Sequence, residues 1–69
     1  MDMRKLVGEN TVRIRKEKGL TQEALAEKSG LSHQNISGLE NCLRNPFIVT
    51  LYELASALGV GHLELLMPN

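Results

Sequence analysis

The sequence predicts an all-α fold, a compact bundle of five helices that forms one domain over residues 1–69. Apolar residues recur at helical spacing and not in the alternation of strands. Glycines divide the chain at positions typical of helix ends. The 69 residues are 42% apolar and 23% charged, as in an ordinary small domain. A chain this short has no room for a deep catalytic cleft, so we expect no enzyme activity and no catalytic residues.

Each helix is predicted from its own start and stop signals. Glycine directly follows Lys18, Ser29 and Leu58, where a helix readily ends in a left-handed residue. Thr21 and Ser32 are capping residues, and each follows a leucine that can pack against the fourth residue of the new helix. The expected helices cover residues 3–18, 22–29, 33–41, 48–58 and 62–66.

The charged residues balance in number but not in position. Eight lysines and arginines match eight aspartates and glutamates, which gives a net charge of zero. Residues 1–19 hold six cations and three anions, whereas residues 20–69 hold two cations and five anions. This asymmetry permits a positive face on a neutral protein, although a solvated first helix explains it equally well.

The sequence favours no metal site, no cofactor and no disulfide framework. Cys42 is the only cysteine, and it has no metal-ligand spacing with His33 or His62. No apolar run of about 18 residues is present, so we expect no membrane span. The first five residues lack the apolar stretch of a signal peptide, and we therefore expect a cytoplasmic protein.

The predicted helix 33–41 combines an apolar face with an unusual polar face. At about 100° per residue, Ile36 and Leu39 lie on the side that faces the core. The other arc carries only glycine and small polar side chains: His33, Gln34, Ser37, Gly38 and Asn41. A merely solvated face usually carries Lys and Glu, which favour helices more strongly. The poorer helix formers found here therefore favour a contact function.

The two short helices joined by residues 30–32 match a helix-turn-helix arrangement. The chain resembles the lambda-repressor-like helix-turn-helix domains, which include phage repressors and Cro-like bacterial regulators of the xenobiotic-response-element class. The likeness covers about residues 6–66 and rests on the stretches 19–26, 30–32, 36–41, 44–46, 50–51 and 54–60. It implies a five-helix bundle whose third helix lies in the major groove of double-stranded DNA.

The resemblance also implies roles for particular residues. Base edges would be contacted by His33, Gln34 and Ser37. The phosphate backbone would be contacted by Gln22, Asn35, Asn41 and Arg44. Arg15 and Glu40 match a family pair that joins the first helix to the end of the third. We interpret it as a structural ion pair.

The C-terminal residues indicate self-association. Leu63, Leu65, Leu66 and Met67 are more apolar than a short final helix needs for its own packing. We expect one or two of them to close the core and the rest to form a two-fold dimer surface. A homodimer, at least on DNA, matches an inverted-repeat operator with half-sites about 34 Å apart.

Two functions remain open at the level of sequence. The first is a sequence-specific DNA-binding regulator, either a repressor or the small partner of a toxin or restriction system. The second is a protein-interaction module on the same bundle. Its support is the neutral charge, together with Val12, Cys42 and Leu43, which replace an arginine, a glycine and a lysine common in the family. Only the first function requires an affinity for DNA that falls steeply with salt.

Overall fold

The computed structural model describes residues 2–68 as four α-helices followed by a short 3-10 helix. The elements are α1 (Met3–Glu17), α2 (Gln22–Ser29), α3 (His33–Glu40), α4 (Ile48–Leu58) and the 3-10 helix (His62–Leu66). The predicted all-α class is confirmed. The prediction of five α-helices is slightly off, because the last element is a 3-10 helix. The helices α1 and α3 also end one residue earlier than the sequence predicts.

Polar caps fix the starts of the two central helices. The Thr21 hydroxyl accepts a hydrogen bond from the Ala24 backbone N–H at 3.0 Å, and the Ser32 hydroxyl accepts one from the Asn35 N–H at 3.1 Å. Each cap satisfies a backbone donor that the first helical turn leaves without a partner. The helix α4 lacks this device, because its first flanking residue, Phe47, makes no side-chain cap.

The helices pack around one apolar core. Its fully buried side chains are Val7, Leu25, Ile36, Leu54 and Leu65, and Ile14, Leu39, Leu51, Ala55 and Leu58 are nearly so. The helix α3 packs against both α1 and α2, and the 3-10 helix packs against α1 and α4. Within the described chain, no helix is both long and apolar enough to cross a bilayer.

A buried asparagine fastens the C-terminal segment to the first helix. The side chain of Asn10 is inaccessible to solvent, and its Nδ2 donates to the carbonyl oxygens of Leu65 at 2.9 Å and Met67 at 2.8 Å. Leu65 thereby enters the core and Leu66 packs against it, whereas Leu63 and Met67 remain exposed. Two of the four apolar C-terminal residues are therefore free for another contact.

The helices α1 and α3 approach closely at Gly8. A Cβ atom at this position would overlap the Leu39 carbonyl oxygen and lie 2.9 Å from the Cys42 sulfur. The chain leaves α3 through Cys42, which has a left-handed φ of 63° although it carries a side chain. A residue with a side chain adopts this left-handed conformation only at some conformational cost.

Candidate nucleic-acid interface

The helix α3 presents one polar side to solvent. Its apolar residues Ile36 and Leu39 are buried in the core, as the helical spacing predicts. His33 and Gln34 are exposed at its start, and Ser37 is half-buried one turn further along. Neither His33 nor Gln34 lies inside the protein, so both can contact another molecule.

The connection between α2 and α3 sets the direction of this helix. Gly30 has a left-handed φ of 76°, which ends α2, and Ser32 then caps α3. Between them the Leu31 backbone N–H donates to the Ser29 hydroxyl at 3.2 Å, and the Leu31 side chain packs against the core. The three-residue turn is thus held at both ends, and α2 and α3 form a fixed helix-turn-helix unit.

An ion pair anchors the end of α3 to α1. Arg15 donates from Nε to one carboxylate oxygen of Glu40 at 2.6 Å and from Nη2 to the other at 3.0 Å. The exposed fractions of the two side chains are only 12% and 4%. Arg15 also donates from Nη1 to the Leu20 carbonyl at 2.8 Å. Two-point pairing of this kind fixes orientation as well as distance, so it holds α3 against α1.

Gln22 joins this ion pair to the first residue of α3. Its Nε2 donates to Glu40 at 2.9 Å, and its Oε1 lies 3.1 Å from His33 Nε2. Because a carboxylate can only accept, Glu40 fixes which end of the Gln22 amide faces His33. The His33 Nε2 must then carry a hydrogen and donate to Gln22. Its Nδ1 takes no part in this bond.

At the other edge of α3, Arg44 folds back over the helix. Its Nη1 donates to Asn35 Oδ1 at 3.0 Å. Its Nε and Cδ lie so near Gly38 that a Cβ atom there would be 2.7 Å and 2.9 Å from them. The predicted phosphate contacts Asn35 and Arg44 therefore touch each other, and Gly38, which the sequence places on the polar arc of this helix, lies beneath the Arg44 side chain.

The remaining predicted residue, Asn41, lies just beyond the end of α3. It is exposed, and its Nδ2 donates to the Ser37 hydroxyl over a long 3.4 Å. The seven predicted DNA contacts thus fall into two groups on and beside α3. The group at the start of α3 is His33, Gln34 and Gln22, and the group along its far edge is Asn35, Ser37, Asn41 and Arg44.

Three of the six cations in the first 19 residues, Arg4, Arg13 and Arg15, form ion pairs with carboxylates. The face of α3 carries no free charge of its own, because its one charged residue, Glu40, is paired with Arg15. The residues described contain no group of three or more His, Cys, Asp or Glu side chains that could hold a metal ion.

The fold and this outward helix define a class of protein. A model of the helix-turn-helix family matches residues 13–65, and the chain belongs to that family.

Three known proteins place the chain within this family. An uncharacterized HTH-type transcriptional regulator, y4dJ, of Sinorhizobium fredii is 62% identical over 69 residues, which are 100% of this chain and 90% of the relative. The immunity repressor protein of Bacillus phage phi105 is 44% identical over 54 residues, 78% of this chain and 38% of the repressor. The crystal structure of the restriction-modification controller protein C.AhdI from Aeromonas hydrophila superposes with a TM-score of 0.86 at 37% identity. That match covers 90% of this chain and 94% of the controller.

Proposed function

We propose that this chain is a repressor that reads an operator through the polar side of α3. The family and the relatives make it a DNA-binding transcriptional regulator. The observation that carries the finer proposal is the exposure of His33 and Gln34 on a helix whose other face is locked into the core. A similar phage protein is named an immunity repressor, which favours repression over activation.

His33, Gln34 and Ser37 are the proposed base-reading residues. Gln34 can bond to adenine through two parallel hydrogen bonds in the major groove, and the Ser37 hydroxyl can pair with several bases. His33 is held by Gln22 so that Nε2 donates within the protein, which leaves Nδ1 for the DNA. In its neutral form it therefore offers an acceptor, suited to the amino group of adenine or cytosine.

Phosphate contacts would position this helix in the groove. Gln22 uses one N–H of its amide on Glu40 and keeps a second N–H for a phosphate oxygen. Asn35 accepts from Arg44 with its oxygen and keeps its own amide donors, and Asn41 is exposed beside it. The free backbone N–H groups at the starts of α2 and α3 add uncharged contacts. Contacts of this kind let a neutral protein bind a polyanion.

A homodimer on an inverted repeat is proposed for the apolar face of α4. Ile48, Val49 and Tyr52 are exposed by 79%, 65% and 65%, which is unusual for such side chains in a small monomer. The Tyr52 ring lies 5.9 Å from the His62 ring, so this face continues toward the exposed Leu63 on the 3-10 helix. A two-fold axis through it would pair equivalent residues of two copies.

The proposed dimer is tested by measuring the mass of the protein–DNA complex. Tyr52→Ser should bind a single half-site as the parent protein does but should no longer load two copies onto an inverted repeat, as measured by light scattering of the purified complex. Met3→Ser is the control, because Met3 is an exposed apolar residue on α1 that lies outside this face and outside the proposed DNA contacts. Loading of two copies of Tyr52→Ser would contradict the assignment.

The repressor proposal is tested by selection from a random double-stranded DNA library, followed by anisotropy titrations over a range of salt. The protein should enrich an inverted repeat, and its affinity should fall with salt by a slope of about −0.9 for each phosphate contacted. His33→Ala and Gln34→Ala should each relax the preference at particular bases by about 1–3 kcal/mol. Glu27→Gln, an exposed change on α2 outside the interface, should not.

A library that yields no enriched sequence, with no salt-dependent binding, would overturn this function. That result would favour the alternative function, a protein-interaction module that keeps the same helix bundle but uses the apolar face of α4 to bind a protein partner. The variants at His33 and Gln34 would then change nothing that can be measured in these titrations.

A further inference from the structure

The polar face of α3 has a vacancy that a residue from outside the helix fills. Gly38 follows Gln34 by one helical turn and adjoins Ser37, so it lies among the proposed base-reading positions. It carries no side chain, and Arg44 occupies the space instead. A Cβ atom at Gly38 would lie 2.7 Å, 2.9 Å and 3.3 Å from Nε, Cδ and Cγ of Arg44.

The position of Arg44 is held from two sides. Beneath it the bare backbone of Gly38 permits the close approach, and beside it the Asn35 side chain accepts a hydrogen bond from Nη1 at 3.0 Å. No carboxylate in residues 2–68 forms an ion pair with Arg44, and the side chain is exposed. The guanidinium is thus laid against the reading helix with most of its donors unused.

We infer that Arg44 reads a base, and that Gly38 is the positioning residue that admits it to the groove. This inference rests on the proposed function and departs from the backbone contact that the family resemblance implies for Arg44. An arginine that lies along the recognition helix can donate two parallel hydrogen bonds to O6 and N7 of guanine, the commonest specific contact in the major groove. It gives an otherwise uncharged face one cation with a strong base preference.

Base reading and phosphate contact by Arg44 predict different results for Arg44→Met. Loss of a guanine contact relaxes the sequence preference at one base pair of each half-site, by roughly 5- to 150-fold, and leaves the other positions unchanged. Loss of a phosphate contact weakens binding to all sequences alike and lowers the salt slope by about one.

Gly38→Ala tests the positioning role without removing any polar group. The new methyl group must displace Arg44, so this variant should lose the same guanine preference as Arg44→Met. The double variant should lose no more than either single variant, since both act on one contact. Alanine favours helix more than glycine, so circular dichroism should show the fold intact.

The experiment is selection from the random DNA library with both single variants, the double variant and two controls. Gly61→Ala makes the same chemical change in open space, and Arg13→Met removes an exposed arginine from α1. Both controls should enrich the same sites as the parent protein. The inference is supported if the preference for guanine at one position is lost in Gly38→Ala, in Arg44→Met and in the double variant, and is kept in both controls.

Two results would overturn it. A uniform loss of affinity in Arg44→Met, with every base preference kept, makes Arg44 a phosphate contact. An unchanged preference in Gly38→Ala removes the positioning role of Gly38. Either result leaves the proposed function standing, because that function is overturned by the parent protein itself, when it enriches no sequence and shows no salt-dependent binding.

Discussion

Replacing Arg15 by methionine should cost this domain a large part of its stability. The substitution keeps a long apolar stem but removes both hydrogen bonds that Arg15 donates to Glu40. The carboxylate is left with one donor, Gln22, in a place where its side chain is only 4% exposed. An ion that cannot reach water and has lost its counter-ion is strongly destabilising.

The expected loss is about 3–5 kcal/mol, the range for breaking a buried pair by removing one partner. At about 0.05–0.15 kcal/mol per residue, a chain of this length has a total stability of only about 3–10 kcal/mol. The loss is therefore comparable with the whole free energy of unfolding. It should also release the end of α3, since Arg15 and Gln22 both hold that end through Glu40.

Urea unfolding followed by circular dichroism measures the loss directly. Arg13→Met is the matched control two residues earlier on α1, because Arg13 makes a longer ion pair of 3.4 Å with side chains exposed by 41% and 60%. The exposed ion pair itself should contribute about 0–1 kcal/mol. Arg13 also donates a 3.3 Å hydrogen bond to Oδ1 of the buried Asn10, whose loss adds about 0.5–1.5 kcal/mol, so the total stays below the loss in Arg15→Met. If Arg15→Met does not fold, Arg15→Lys keeps the charge and should lose about 1–3 kcal/mol through its poorer geometry. Equal losses for Arg15→Met and Arg13→Met would refute the buried-pair argument.

Three further changes test other parts of the fold by the same urea titration. Asn10→Ala should cost about 2–5 kcal/mol, because it strips the hydrogen-bond donor from two carbonyls, and amide exchange in the 3-10 helix should accelerate; slow exchange there would contradict this. Gly8→Ala should cost about 1–3 kcal/mol or more, because the new Cβ meets the backbone of α3, whereas Gly61→Ala should be nearly neutral. Phe47→Ser should raise stability by about 0.5–2 kcal/mol by supplying the missing cap of α4, and a lower midpoint would show that the exposed ring is needed.

Local signals predicted the helices well and the last element poorly. The central helices begin where Thr21 and Ser32 can cap them, and each cap acts within three residues of itself. The final segment is a 3-10 helix tied down by Asn10, which lies 55 residues away from Leu65. No local pattern reports a hydrogen bond over that separation.

In the candidate site, too, the sequence predicted the features of a single helix but not the contacts between elements. Helical spacing alone placed Ile36 and Leu39 inside and His33 and Gln34 outside, because a single helix decides which residues share a face. Helical spacing could not predict the contacts between different elements. Nothing in the order of residues shows that Arg44 folds back over Gly38, although a glycine in the middle of a short helix signals close approach by another group.

The central claim is tested most directly by NMR, through the backbone amide chemical shifts recorded while short double-stranded DNA is titrated into the protein at low salt. If α3 lies in the groove, the largest shifts occur at Gln22 and across residues 33–44, and they fade as salt is added. Spectra that do not change, or shifts confined to the apolar face of α4 with α3 unaffected, would contradict a groove-reading role for this helix.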